Sequence, residues 1–172
     1  MFPSALRSSD ERGMPKDRAA FIDANINPDT KLAHDYLNHF NEAIMVLELM
    51  ATMPEALEHF LAWRPKTYCE HFNASRLKHR AFAVAAYEAA DSRARRQLDE
   101  LSAAMNGILV SLRETLRMNL SQPVAIPLAT AAATHLKQMV GLAGAVINGG
   151  GVDDLDEATD SAQSAIDALL DQ

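Results

Sequence analysis

Histidine and cysteine side chains are the first groups in this sequence that could do chemistry. Three of the six histidines stand directly before a phenylalanine, and the single cysteine lies close to the third of them. Imidazole and thiolate groups bind zinc or iron, so the candidate ligands would be His39, His59, Cys69 and His71. Their spacing matches none of the patterns Cys-x-x-Cys, His-Glu-x-x-His or Glu-x-x-His. We therefore predict no bound transition metal and interpret these histidines as residues at the edges of apolar helix faces.

Nucleophilic and phosphate chemistry finds little support in the sequence. Lys66 and His71 would lower the pKa of Cys69 if they faced the thiol, but a buried, inert thiol is the favoured interpretation. The glycine run 149–151 follows no strand and lacks the Gly-Lys-Ser/Thr of a phosphate loop. His135 has a lysine two positions later instead of the three typical of histidine phosphotransfer domains, so we interpret it as a boundary histidine. These patterns argue against an enzyme, although a site assembled from distant helices would leave no motif.

The densest cluster of residues suited to binding is the stretch 63–68, Trp-Arg-Pro-Lys-Thr-Tyr. Tryptophan, tyrosine and arginine are frequent hot spots of protein interfaces, and proline limits the freedom of the chain around them. A helix that begins after this proline would also offer free N–H groups to an anion. The binding site that we predict contains Trp63, Arg64, Lys66 and Tyr68. The alternative is a loop closed by its own aromatic side chains.

A long amphipathic helix is predicted ahead of this stretch, over 28–52. Asn27 is a favourable N-cap, and Pro28 suits the first helical position, where a missing N–H group costs nothing. Apolar residues then recur at steps of three and four over 33–51, which gives the helix one broad apolar face. This pattern is typical of a helix that packs in a bundle.

Short helices are predicted on both sides of Trp63. Thr52 and Glu55 have the spacing of a capping box, which predicts a helix that starts there and ends at Arg64. It ends there because the residue before a proline is disfavoured in the helical conformation. The segment 66–72 predicts one or two further helical turns.

Longer helices are predicted in the second half of the chain. Apolar residues repeat every 3.5 residues over 94–116, which predicts a helix over 92–119. The segment 75–90 forms a separate helix if Asp91 or Ser92 caps a new start, although one continuous helix is an alternative. Two prolines predict a connection over 121–127, followed by helices over 128–148 and 153–170.

These elements predict an all-α fold, a bundle of four principal amphipathic helices with the short helices of 54–90 covering one end or side. We predict a mobile tail over 1–15 and one helical-bundle domain over 16–172, which is long enough to bury a stable core. A single cysteine favours a reducing compartment. The first residues lack the apolar core of a secretory signal, and no later apolar run reaches membrane-spanning length. We therefore predict a cytoplasmic protein without membrane association.

Charge divides the chain into a basic middle and an acidic end. Basic residues outnumber acidic ones by eight to three over 64–96, whereas the residues from 152 onward carry seven carboxylates and no basic side chain. The whole chain has a net charge of −7, and no nucleic-acid recognition motif accompanies the basic segment, so we predict no nucleic-acid partner. Contact between the basic and acidic segments, within a chain or between protomers, is an alternative to two solvated faces.

Protein–protein interaction by a non-enzymatic bundle is the function that these patterns favour. No cofactor fingerprint is present, so we predict no cofactor. The apolar faces over 33–51 and 94–116 exceed what a short bundle must cover, which predicts a homo-oligomer as well as a protein partner. The alternative function is a bundle that binds a small ligand or a metal.

Overall fold

The fold is built from helices joined by short connections. The computed structural model describes residues 17–118 and 120–150, and in these residues it contains seven α-helices and one turn of 3₁₀ helix. The helices are α1 (Arg18–Asp23), α2 (Asn38–Leu49), α3 (Ala56–Ala62), α4 (Tyr68–Ala74), α5 (Arg80–Glu88), α6 (Ser92–Leu116) and α7 (Gln122–Ile147), and the 3₁₀ turn is His34–Leu37. The all-α prediction is confirmed. The tail predicted over 1–15 and the helix predicted over 153–170 lie outside the described residues.

The core forms where α7 packs against both α2 and α6. Half of the residues that α7 buries are alanines, and the narrow side chains of Ala129, Ala133 and Ala143 let the neighbouring helices approach closely. On α6 the apolar seam is buried as predicted, except that Leu109 replaces Ile108 at the centre of the contact. The apolar faces that motivated the oligomer prediction are thus largely covered within one chain, and the homo-oligomer stays a prediction.

The predicted start of the long helix at residue 28 is wrong. Asn27 does accept hydrogen bonds through Oδ1 from the N–H groups of Asp29 (2.9 Å) and Thr30 (3.1 Å), but it caps a turn and not a helix. Lys31 then adopts a left-handed φ of 62°, and the chain folds back so that residues 26 and 33 pair. The helix α2 begins only at Asn38 and ends at Leu49.

Thr30 anchors this turn to the far end of the chain. It is buried, and its hydroxyl donates a 2.6 Å hydrogen bond to the carbonyl of Ile147 in the last turn of α7. The last carbonyls of a helix have no partner within the helix, so this contact satisfies one that would otherwise be buried unpaired. The tertiary structure therefore decides that residues 28–33 form a turn.

The connection predicted over 121–127 is also wrong, because α7 begins at Gln122 and runs through both prolines. The first N–H groups of a helix have no acceptor within it, so Pro123 in the first turn removes nothing. Pro127 removes one hydrogen bond, close to the helix start, and its ring is exposed. Ala125 and Ala129 are buried on either side of it, so packing of this first part of α7 opposes the loss.

The short helices differ from the prediction in their caps. Thr52 and Glu55 form no capping box, and α3 begins at Ala56 without a side-chain cap. The capping box lies at α4, where Thr67 accepts from the N–H of Glu70 (3.3 Å) and the Glu70 carboxylate accepts from the N–H of Thr67 (2.8 Å). Asp91 caps α6 as predicted, so 75–119 is not one continuous helix, although α5 begins at Arg80 and not at residue 75.

Replacing Thr30 with valine tests the anchor between the turn and α7. Valine keeps the shape of the side chain but removes the hydroxyl, leaving the Ile147 carbonyl buried without this donor. We expect the free energy of unfolding in urea to fall by about 1–3 kcal/mol. Thr130→Val is the matched control, because the exposed Thr130 hydroxyl bonds only a carbonyl of its own helix, and we expect a change of about 0.5 kcal/mol or less. Equal losses of unfolding free energy in the two variants would contradict the anchoring role of the Thr30 hydroxyl.

Candidate functional site

The stretch Trp63–Tyr68, which we call the corner, carries the chain from α3 to α4. Helix α3 stops at Ala62, and Trp63 is already extended, with ψ of 144°. Two residues later Pro65 prevents a return to helix at Arg64, and the chain stays extended as far as Thr67, which caps α4. Because the corner is not helical, its backbone N–H and C=O groups are free to form hydrogen bonds with residues of α2 and α6 instead of within a helix.

The peptide groups of Lys66 hold the corner in place. The Lys66 N–H group donates to Nε2 of His39 at 3.1 Å. The Lys66 carbonyl accepts from the hydroxyl of Tyr36 at 2.9 Å and, more weakly, from Nδ2 of Asn106 at 3.4 Å. These bonds join the corner to the start of α2 and to the middle of α6, so the backbone of Lys66 is fixed from both sides.

His39 is the buried partner on which this arrangement rests. Only 2% of the residue is exposed, so its predicted place at the boundary of the apolar face is wrong. A peptide N–H group can only donate, so Nε2 must carry a lone pair, and the imidazole is neutral with its proton on Nδ1. Burial lowers the pKa of His39 to about 4, and the nearby groups of His71 and Lys66 lower it in the same direction.

Trp63 covers His39 on the outer side. The indole stacks on the imidazole with 4.7 Å between ring centroids, and its Nε1 donates a long hydrogen bond to the His39 carbonyl (3.4 Å). The Trp63 carbonyl accepts from Nη1 of Arg113 on α6 at 3.0 Å. Trp63 is half-buried, so part of the indole is held inside the protein while another part reaches the surface.

The other three residues of the predicted binding site have different environments. Arg64 is exposed, and its Nη1 donates to the carbonyls of Leu61 (2.7 Å) and Trp63 (2.8 Å), which stabilises the C-terminal end of α3. Lys66 is half-buried. Tyr68 is in the core, where its hydroxyl accepts from the N–H of Ala33 (2.9 Å) and its ring stacks on Tyr87 at 4.4 Å. Trp63, Arg64 and Lys66 thus reach the surface together, whereas Tyr68 supports the corner from inside.

The candidate metal ligands do not come together as one site. His39 and His71 are neighbours, with 6.0 Å between ring centroids, and His59 is exposed on α3. No group of three or more histidine, cysteine or acidic residues within 17–118 and 120–150 is arranged to hold a metal ion. Burial, together with Glu88, Asp99 and Glu70, raises the pKa of Cys69, which agrees with the favoured interpretation of an inert thiol and not with activation by Lys66 and His71.

An apolar groove of about 510 Å³ lies between α2 and α3 and ends at Trp63. One wall has the spacing of a single helix face and consists of Glu42, Met45, Val46 and Leu49. The other wall is formed by Ala56, His59 and Ala62 of α3, and Met53 of the connection also lines the groove. Met45, Leu49 and Met53 are 55%, 38% and 49% exposed, although all three are large and apolar. We call this surface the methionine groove.

Sequence reasoning missed the methionine groove because Met45 lies outside the broad apolar face that is predicted over 33–51. An apolar residue at 45 and another at 49, one turn apart outside the main apolar face, were the available signal. That signal is weak, because single exposed apolar residues are common on protein surfaces. The groove exists only because α3 folds back alongside α2.

Comparisons of the chain with protein-family models, with curated proteins and with solved structures found no match. Within the described residues, none of the helices combines the length and the apolar character needed to cross a membrane. The functional argument therefore rests on the geometry of the corner and of the methionine groove.

The protonation state of His39 predicts how stability depends on pH. The folded-state pKa lies below the unfolded value of about 6.5, so this contribution is fully present above that value and is lost as the pH falls toward 4. From about pH 7.5 to about pH 5 we expect a loss of about 2 kcal/mol from this residue. Burial also lowers the pKa of His71, which adds a loss in the same direction.

Urea unfolding at both pH values measures this loss. His39→Gln keeps a possible acceptor near the position of Nε2 but cannot be protonated, so we expect it to lose less stability than the wild type on acidification. His59→Gln removes an exposed histidine and leaves the buried contacts intact. If His39→Gln and His59→Gln have the same pH dependence, the role assigned to His39 is wrong.

Proposed function

We propose that this protein is a binding module that holds a helical segment of a protein partner in the methionine groove. The observation that carries the proposal is the clustering of exposed apolar side chains. Of the large apolar residues that are exposed in the described part of the chain, Met45, Leu49 and Met53 line this one groove beside Trp63. Contiguous exposed apolar surface is typical of interaction sites, whereas scattered apolar residues are not.

The chemistry of the groove suits a protein partner. Burying a methionine or leucine side chain is worth about 1.5–3 kcal/mol, so covering three of them offsets part of the cost of association. Methionine is unbranched and polarisable, and it adapts its shape to the side chains that it meets. Trp63 adds an indole already held by His39 and Arg113, so little conformational freedom is lost when a partner contacts it.

The shape of the groove favours a helix over an extended peptide. No edge strand is available for strand addition in residues 17–118 and 120–150. The α2 residues that line the groove run from Glu42 to Leu49, which corresponds to about 10 Å, so the groove can align with about two turns of a bound helix. A helix that lies in such a groove contacts it through apolar residues spaced i, i+3, i+4 and i+7.

A designed peptide tests the proposal because the chain has a single tryptophan, Trp63. The probe is a capped helical peptide of about 14 residues without tryptophan, with a leucine stripe and a glutamine–alanine outer face. We expect it to shift or quench the emission of Trp63 in a saturable titration. Met45→Glu and Leu49→Glu should each weaken binding by at least about tenfold, because a carboxylate would be buried against the leucine stripe.

Met118→Glu is the matched control, since Met118 is 68% exposed and does not line the groove. It should bind the peptide like the wild type. Melting temperatures of all variants should stay close to that of the wild type, because the substituted residues lie on the surface. If the peptide leaves Trp63 emission unchanged, or if Met118→Glu weakens binding as much as Met45→Glu, the proposed function is wrong.

A further inference from the structure

We infer that the partner of the methionine groove is a basic amphipathic helix, bound with its C-terminal end at Trp63. This inference rests on the proposed function and adds the charge and the orientation of the partner. It is carried by the charges along the groove, which are independent of the apolar contacts described above.

Glutamates occur in both of the segments that form the walls of the groove. Glu42 belongs to the lining of the α2 wall. On the opposite side Glu55 and Glu58 precede the lining residues His59 and Ala62 by four positions each, which places them near that wall, although neither glutamate itself lines the groove. All three glutamates are exposed, and none of them takes part in an ion pair within the described residues.

The two helices that form the groove contribute no lysine or arginine to balance these glutamates. The segment from Asn38 to Ala62, which forms both helices, contains four glutamates and no lysine or arginine. Of these four glutamates only Glu48, which does not line the groove, has an ion pair in the described residues, with Lys137 of α7. A groove with walls of one sign of charge attracts a partner of the opposite sign, so lysine or arginine beside an apolar stripe is the complementary chemistry.

The chain's own acidic end does not fit this surface. Residues 152–170 have an apolar stripe, but the sequence from 152 onward contains seven carboxylates and no basic residue. Placing that stripe in the groove would bring like charges together, which is destabilising. A second copy of this chain would bring a net charge of −7. Charge therefore favours a separate, basic partner over residues 152–170 and over a second copy of the chain.

The Trp63 end of the groove carries basic residues as well as Glu42, which lies one turn along α2 from the His39 ring on which Trp63 stacks. Arg64 and Lys66 follow Trp63 directly, whereas Glu55 lies at the other end of α3. A bound helix carries partial negative charge at its C-terminus and partial positive charge at its N-terminus. The favourable orientation places its C-terminal turn beside Arg64 and Lys66 and its N-terminal, lysine-rich turns toward Glu55 and Glu58.

Three peptides without tryptophan test the charge of the partner in titrations of the full-length protein. The first carries lysines beside a leucine stripe except in its last turn, the second has glutamines at the same positions, and the third is the sequence 152–170. We expect the lysine peptide to bind about tenfold more tightly than the glutamine peptide at about 20 mM NaCl. The advantage should largely disappear at about 500 mM NaCl, and the 152–170 peptide should bind most weakly.

A triple variant identifies the glutamates that are responsible. Glu42→Gln, Glu55→Gln and Glu58→Gln together should remove the preference for lysine while leaving the affinity for the glutamine peptide unchanged. The control removes negative charge elsewhere on the surface, with Glu88 and Glu100 replaced by glutamine, both of which are exposed, outside the groove lining and without an ion pair in the described residues. This control should retain most of the preference for lysine.

Orientation is measured with a nitroxide quencher on either end of the lysine peptide. Because Trp63 lies at one end of the groove, the C-terminal label should quench its emission more strongly than the N-terminal label. The reverse order overturns the proposed orientation.

The remaining outcomes separate this inference from the proposed function. If the glutamine peptide binds and the lysine peptide binds no better, the partner is not selected by charge, although the groove still binds helices. If neither peptide binds, the proposed function fails and this inference fails with it. Tighter binding of the 152–170 peptide would make the chain's own end the occupant. If light scattering shows an oligomer that Met45→Glu converts to monomers, a second copy is the occupant, and the inference is overturned.

Discussion

The hydrogen bond from the peptide N–H of Lys66 to Nε2 of His39 is the contact on which the rest of the corner depends. It exists only while His39 is neutral, and burial keeps the imidazole neutral by lowering its pKa. Because the same peptide unit is bonded by Tyr36 and Asn106, the chain between α3 and α4 has one position relative to α2 and α6. A buried polar group left without its partner costs more than the bond itself contributes. These hydrogen bonds therefore disfavour other positions of the corner as well as stabilising this one.

The methionine groove is a consequence of that constraint. With the corner fixed, α3 is held beside α2, and Trp63 is stacked on the ring of His39 at the end of the channel between them. The floor is rigid because Phe60 and Ala43 are buried in the core, whereas Met45 and Met53 on the rim are exposed and have freedom to adapt. A rigid aromatic at one end and adaptable thioethers along the sides suit the helical partner that we propose. The unpaired glutamates in and near the groove suit a basic one.

Local pattern predicted the helices well where a single signal acted alone. The apolar seam of α6 and its cap at Asp91 follow directly from the sequence, since no competing contact alters them. The prediction failed where one signal serves two structures. Asn27 caps a turn with the same side-chain hydrogen bonds that would start a helix, and the buried contact from Thr30 to Ile147 selects the turn. A proline usually ends a helix. Pro127 lies near the start of α7, where the loss of one hydrogen bond costs little, and the packing of Ala125 and Ala129 outweighs that loss.

The sequence by itself determined the all-α class, the break between α5 and α6, and the aromatic character of the corner, because periodicity, caps and residue types act over a few neighbouring residues. Only the tertiary structure decided which members of the corner face outward. Tyr68 and Trp63 are both aromatic and lie five residues apart, yet one is in the core and the other reaches the surface. The groove likewise could not be predicted from the sequence, since Met45 and Met53 become parts of one surface only when α3 packs against α2. Contacts between residues distant in the chain depend on how whole helices pack, and no local pattern encodes that packing.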